Sequence, residues 1–167
     1  GLHSAFQDST PLIMLVGQIA RTTAERESFQ EIDYRKMFGS VVKWVAQIDQ
    51  AERIPEFMAR AFHVATSGRP GPVVLALPED MLTDRVAIRD AEPYVAIQAR
   101  PAAEDIARMR ELVQHAERPL MIVGGSQWPD AACRQIVAFA EANSLPAACS
   151  FRRQDVFANA SRCYGGD

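Results

Sequence analysis

Two glutamines are the residues best placed, by type and position, to touch a ligand. Gln18 follows Gly17 at the end of the apolar run Leu12-Ile13-Met14-Leu15-Val16. Open parallel α/β sheets bind ligands beyond the carboxyl ends of their strands, and a glutamine there can donate and accept hydrogen bonds. A cap or loop hydrogen bond would use it equally well. Gln30 sits in Ser28-Phe29-Gln30-Glu31. This spacing makes Glu31 the reciprocal partner of a Ser28 N-cap and opens a helix. Phe29 reads as core before pocket wall. Gln30 has no structural task that spacing assigns, which makes it the better functional candidate.

Gly124-Gly125 ends a second apolar run and leads toward a helix, the usual seat of a nucleotide phosphate. Gly-Gly-Ser is not the dinucleotide fingerprint, and Trp128-Pro129 crowds the turn, so a plain strand-to-helix turn is the ordinary reading. Ser67-Gly68-Arg69-Pro70-Gly71-Pro72 reads as a rigid turn in which Arg69 could meet an anion or a loop carbonyl. His63, beside Phe62, reads as a partly buried structural histidine. The pairs Glu79-Asp80 and Asp90/Glu92 read as solvated turns. Spacing builds no Ser-His-Asp or Cys-His arrangement. Cys133, Cys149 and Cys163 form no C-x-x-C pair, and His3, His63 and His115 lie far apart, so neither a disulfide scaffold nor a zinc site is expected. Reduced thiols in a cytoplasmic protein are the default. No residue stands out as an acid–base catalyst or a metal ligand.

An alternation of helix and strand must position these residues. The run 12–16, bounded by Pro11 and Gly17, suits a strand buried on both faces. The Ser28 box predicts a helix carrying Phe29, Ile32 and Phe38 and stopping at Gly39. Val42, Trp44 and Ala46 alternate as in a short strand. Asp49 and Glu52 form a second capping box before the clearest helix, with Ile54, Phe57, Met58, Ala61, Phe62 and Ala65 at helical spacing. Val73 to Leu77 reads as another buried strand. From Met81 to Arg100 the rhythm is lost, as in a linker. A helix over about 102–115 follows, with Ile106, Met109 and Val113 inward. Then come a strand over 120–123, a helix with Pro129 in its first turn, carrying Ile136 and Phe139 and stopping at Asn143, and a strand from Pro146 to Cys149. The fold class is α/β, with parallel-sheet Rossmann-like units.

Composition narrows the classes. Of 167 residues, 48% are hydrophobic and 23% charged, enough for a packed core and unlike a disordered chain. A net charge of −3 argues against a nucleic-acid binder that relies on phosphate neutralisation. The apolar runs fall far short of the roughly 20 residues a membrane helix needs. The chain opens Gly1-Leu2-His3 without methionine and ends Gly165-Gly166-Asp167, and the expectation is a piece of a longer protein.

Taken in order, the words A-F-Q-D-S-T-P-L-I-M-L-V-G-Q (5–18), E-S-F-Q-E-I-D (27–33), K-W-V (43–45), A-F-H-V-A-T-S-G-R-P-G-P-V-V-L-A-L-P-E-D (61–80) and R-P-L-M-I-V-G-G (118–125) carry a resemblance. The chain resembles the thiamine-diphosphate-dependent enzymes of the acetolactate synthase (acetohydroxyacid synthase) large-subunit type along nearly its whole length. The resemblance implies the C-terminal part of a pyrimidine-binding domain over 1–83, a linker over 84–100, and the N-terminal part of a central Rossmann-like domain over 101–167. The family's cofactor-activating glutamate would lie upstream and its magnesium and diphosphate motif downstream. The chain alone is therefore expected to be inactive, with no catalytic or metal-binding residue of its own.

The resemblance also implies a full-length decarboxylase or carboligase acting on 2-keto acids, a lyase or transferase that uses thiamine diphosphate and Mg2+. A homodimer or homotetramer is implied, without nucleic acid or membrane partners. Phe29 and Gln30 would approach the neighbouring subunit's cofactor at the dimer interface, with Gln18 in the same region. FAD is a candidate second cofactor, but Ser126 stands where the family's flavin-binding turn has a third glycine. The family's L-P-K-D is here Leu77-Pro78-Glu79-Asp80. An anion in place of that cation would repel a 2-keto-acid carboxylate, favouring a related decarboxylase, carboligase or lyase over a biosynthetic acetolactate synthase. Two alternatives from other classes are a non-catalytic nucleotide-binding or regulatory α/β module and an assembly surface.

Overall fold

A computed structural model of the chain describes residues 1–97 and 99–166. It divides into two units, residues 1–97 and 98–167. The first contains α1 (Leu2–Gln7), β1 (Leu12–Gln18), α2 (Tyr34–Phe38), β2 (Trp44–Gln47), α3 (Ile54–Thr66) and β3 (Pro72–Pro78). Short 3-10 turns occupy Arg21–Thr23, Ala51–Arg53 and Met81–Thr83. The strands form a parallel sheet in the order β1-β3-β2, with Leu12 opposite Pro72, Gln18 opposite Pro78, and Trp44 opposite Val73.

Position in that sheet decides burial. Central β3 is hydrogen-bonded on both edges and packed on both faces, and Val73, Val74 and Leu75 are fully buried. β1, read as buried on both faces, instead lies at the outside of the sheet, and Leu15 is 53% exposed. Below the sheet, α3 places Ala61 and Ala65 against Val73, Leu75, Ile48 and Met81. Small residues on α3 allow the close approach. Trp44 stacks on Phe57 at 5.8 Å, closing this core at the β2 side.

Neither expected capping box opens its helix. Gln30 has φ 68°, a left-handed value incompatible with helix, and α2 starts only at Tyr34, capped by the Asp33 carboxylate on the Lys36 amide. The second box also fails: Asp49 accepts from Gln47 Nε2 at 2.7 Å, and a 3-10 turn at Ala51–Arg53 leads into α3 without a side-chain cap. The carboxyl end of α3 is capped by Lys43, whose Nζ donates to the carbonyls of Val64 and Ser67. Burial pushes the Lys43 ammonium below its ordinary pKa. Arg69, weighed for an anion or a loop carbonyl, instead caps α1, donating to the helix-end carbonyls of Phe6 and Gln7 at 3.1 and 3.0 Å. His63, read as partly buried, is exposed on the outer side of α3. Tyr94 stacks on Phe62 and its hydroxyl meets Thr66 Oγ1.

The second unit contains α4 (Ala103–His115), β4 (Met121–Val123), α5 (Asp130–Ala142) and β5 (Ala147–Cys149). β4 and β5 pair in parallel, and Tyr164 adds a parallel bridge to Ala147. Its core gathers Val123, Ala140, Ala147, Cys149, Val156 and Phe157. Pro129 stands at the N-cap position of α5, just before its first turn and without a side-chain cap, and Asn143 closes the helix by donating Nδ2 to the Phe139 carbonyl at 2.8 Å. The inward stripe expected on α4 is not buried: Met109 is 55% exposed and no α4 residue is buried. Two short strands offer too little sheet to cover it.

Candidate functional site

The loops leaving the carboxyl ends of β1 and β2 enclose a cavity of about 320 Å³. Its floor is Gln18, Ala46, Gln47 and Ala76, and its wall is the segment from Ile19 to Arg35. This is where an open parallel sheet presents its ligand crevice, because the strands end there and the connections diverge.

Gln18 spans the floor. Its Nε2 donates to the Ile32 carbonyl at 2.8 Å and its Oε1 accepts from the Ile19 amide at 3.0 Å. It thus makes the loop hydrogen bond weighed for it and also lines the cavity. Tyr34 ties the same wall to β1 through its hydroxyl on the Gly17 carbonyl at 3.0 Å.

The wall itself is an unusual backbone. Glu25, Glu27 and Gln30 all have left-handed φ, 63°, 54° and 68°. Each such non-glycine residue costs on the order of 1 kcal/mol and persists only where its surroundings over-determine it. Glu31 does that here: its carboxylate accepts from the amides of Glu25 at 2.6 Å and Ser28 at 3.1 Å. These bonds, the Glu25 amide foremost, hold its pKa below the ordinary value. Ser28 donates Oγ to the Thr23 carbonyl at 2.8 Å. The Ser28–Glu31 signal is therefore half right, since Glu31 does reach back to the Ser28 amide, but it closes a strained loop and caps no helix.

Phe29 and Gln30 stand at the tip of that loop. Phe29 is 90% exposed, neither core nor cavity wall, and Gln30 is exposed as well. Gln18 lines the cavity, while Phe29 and Gln30 face away from it into solvent. Spacing missed the group that ties the cavity's loops together, Arg21 with Asp80, Asp84 and the Asp49 carbonyl. Arg21 N and Nε both donate to the Asp80 carboxylate at 3.0 Å, Nη2 to Asp84 Oδ2 at 3.0 Å, and Nη1 to the Asp49 carbonyl at 2.6 Å. Asp80, read as a solvated turn, is a half-buried acceptor. The Arg21 amide, first, and its guanidinium hold Asp80 below the ordinary carboxylate range. The available signal was that both residues closely follow the ends of paired strands, but using it requires the strand order.

Lining cations are Arg21 and Arg35, against the carboxylates of Glu25, Glu31, Asp33 and Asp49. Arg21, Glu31 and Asp33 are already engaged. With four lining carboxylates against two cations, the cavity suits a neutral or weakly polar group better than an anion. Among the described residues, no group of three or more His, Cys, Asp or Glu side chains is placed to hold a metal ion. These residues do not fit the magnesium and diphosphate end of a thiamine cofactor. In the second unit, Gly125 turns the chain with φ 83°, and Trp128 Nε1 donates to the Gly124 carbonyl at 2.8 Å. α5 begins only at Asp130, whose carboxylate occupies the helix's first turn. An anion there opposes a phosphate, so this turn does not fit a flavin pyrophosphate.

Comparison with known proteins agrees with this architecture. The family model described as the thiamine pyrophosphate enzyme central domain matches residues 106–167. The acetolactate synthase isozyme 2 large subunit of Escherichia coli is 31% identical over 156 residues, covering 91% of this chain and 28% of that protein. A probable acetolactate synthase large subunit of Methanocaldococcus jannaschii is 32% identical, covering 87% of this chain and 26% of its own length. A glyoxylate carboligase of Escherichia coli is 33% identical over 148 residues, 87% of this chain and 25% of its own. The chain thus spans about a quarter of the length of these curated relatives. Residues 106–167 are thus similar to the thiamine pyrophosphate enzyme central domain, and some nine-tenths of the chain is similar to relatives of acetolactate synthase large-subunit type.

Proposed function

We propose that these residues serve a thiamine-diphosphate-dependent decarboxylase or carboligase that acts on 2-keto acids. Residues 1–83 form part of its pyrimidine-binding domain, 84–100 a linker, and 101–167 the opening of its central domain. The observation that carries this reading is the cavity at the carboxyl ends of three parallel strands, floored by Gln18 and walled by the strained loop that presents Phe29 and Gln30. A side chain 90% exposed on a loop locked by four hydrogen bonds suits contact with a second subunit, so we assign Phe29 and Gln30 to a homodimer or homotetramer interface.

Thiamine diphosphate supplies an electron sink for the carbanion formed on a carbonyl substrate. The chain's own residues bind and orient. Gln18 and Gln47 offer amides to a neutral group, and Glu31 keeps the loop in its working shape. The magnesium and diphosphate ligands belong to other residues, and the chain by itself is inactive. FAD is not assigned to the Gly124-Gly125 turn. The non-catalytic nucleotide-binding reading loses its main support there for the same reason. The surplus of carboxylates at the cavity, with Glu79 beside the Gln18 strand end, favours a decarboxylase, carboligase or lyase over a biosynthetic acetolactate synthase.

The test is turnover by the complete protein with thiamine diphosphate and Mg2+ on a panel of 2-keto acids, glyoxylate included. Gln30→Ala should lower kcat/KM by about tenfold or more, the loss of roughly 1.4 kcal/mol of transition-state stabilisation. Unchanged kcat/KM would remove Gln30 from the site. Absence of turnover on every 2-keto acid would remove the substrate class.

A further inference from the structure

Three connections leave the carboxyl ends of the sheet in the first unit, and one guanidinium touches all of them. Arg21 lies after β1. Through Nε and its backbone amide it holds Asp80, after β3. Through Nη2 it holds Asp84, beyond the 3-10 turn that follows β3. Through Nη1 it holds the Asp49 carbonyl, after β2. The sheet register sets this up: Gln18 pairs with Pro78, and Gln47 with Ala76, so β2 ends two residues earlier and Asp49 follows it toward the level of the other two strand ends.

We infer that Arg21 is a positioning residue for the cavity: it fixes the segment 19–33 over the strand ends, and through that segment the shape of the wall that a substrate meets. The inference rests on the reading of the cavity as substrate-facing. Arg21 and Asp80 are each about a third exposed or less, and the group is a fork with each acceptor in a different direction. Bulk charge attraction does not require that geometry. A lysine at this position keeps the charge, but its three donors radiate from one nitrogen on a flexible stem and do not reproduce the spread of the guanidinium fork toward Asp80, Asp84 and the Asp49 carbonyl. The left-handed residues Glu25, Glu27 and Gln30 lie in the segment so held, so loosening it should let them relax.

Amide hydrogen exchange on Arg21→Lys and Asp84→Asn tests the hold directly. In Arg21→Lys, the amides of Glu25, Ser28 and Glu31 should exchange about tenfold faster or more, while those of Val74 and Leu75 in β3 stay within about twofold. Asp84→Asn should show the same pattern at smaller amplitude. Loop and β3 amides accelerating together would make Arg21 a general stability element and overturn the inference. Unchanged exchange in Arg21→Lys would overturn it as well. In the complete enzyme, Arg21→Lys should raise KM for the 2-keto acid about tenfold. Affinity for thiamine diphosphate, read by fluorescence quenching, should stay within about twofold. A loosened loop with unchanged KM would sink the substrate-facing reading of the cavity and leave Arg21's hold on the loop intact.

Discussion

β3 and β4 are both short, apolar, parallel strands, yet they live in different surroundings. β3 has a neighbour on each edge and cover on each face, and Leu75 at its centre is fully buried. β4 has one neighbour, β5, and its Ile122 is 70% exposed. In the first unit a sheet of three strands carries α3 on one face and supports a cavity at its carboxyl ends. In the second, α5 covers one side of a two-stranded sheet, and α4 leaves its apolar stripe in solvent. Burial, and the rigidity that a site needs, follow from the number of neighbours a strand has and not from its own hydrophobicity. The cavity belongs to the unit whose central strand is locked on all sides.

That contrast can be broken or sharpened by substitution. The largest effect is expected at Phe157, the biggest buried side chain of the second unit, stacked on Tyr164 at 6.4 Å. Phe157→Ala should cost about 3–5 kcal/mol and melt the second unit while the first keeps its exchange protection. A single transition shared by both units would mean that the two are not independent in stability. Next, Leu75→Ala should cost the first unit about 2–5 kcal/mol in denaturant titration. Ile122→Ala should change the second by no more than about 0.5 kcal/mol. Equal costs at the two positions would show that β4 is buried in solution.

Smaller effects test the loop. Asp33→Ala removes the N-cap of α2 and should cost about 1 kcal/mol, with Asp33→Asn restoring most of it. The smallest effect is a pH dependence. Asp33 is held below its ordinary 3.8, chiefly by the Lys36 amide, and Glu31 below its ordinary 4.5, chiefly by the Glu25 amide. A carboxyl whose folded pKa is depressed contributes its full stabilisation above the ordinary value and loses it as pH falls through the folded pKa. Exchange protection of segment 19–33 should therefore be flat above about pH 5 and fall as pH drops below about 4. In Glu31→Gln that fall should be reduced. An unaltered profile in the variant would show that Glu31 is not the group responsible.

Much of this molecule could be read from one dimension. Period and breakers located the strands at 12–18, 44–47, 72–78, 121–123 and 147–149 and the helices α3, α4 and α5 to within a few residues, because apolar spacing and Pro or Gly boundaries are local properties. Ordered motifs pointed to the family, and Gln18 was singled out from its place at a strand end. Local signals misled where a tertiary contact competed with them. Ser28 and Glu31 have the spacing of a helix cap, but Glu31's bond to the Glu25 amide and Gln18's bond to the Ile32 carbonyl hold their segment in left-handed turns. Asp80 looks like a solvated turn until β1 and β3 are paired and Arg21 reaches it. Leu15 and Leu75 are the same residue type in similar runs, and only the strand order made one half exposed and the other buried. The sequence by itself determined where the five strands and α3, α4 and α5 lie, since apolar spacing and breakers depend on neighbours along the chain. The cavity, its Arg21 fork and the exposed Phe29 tip were decided by tertiary structure, because they depend on which strands lie side by side.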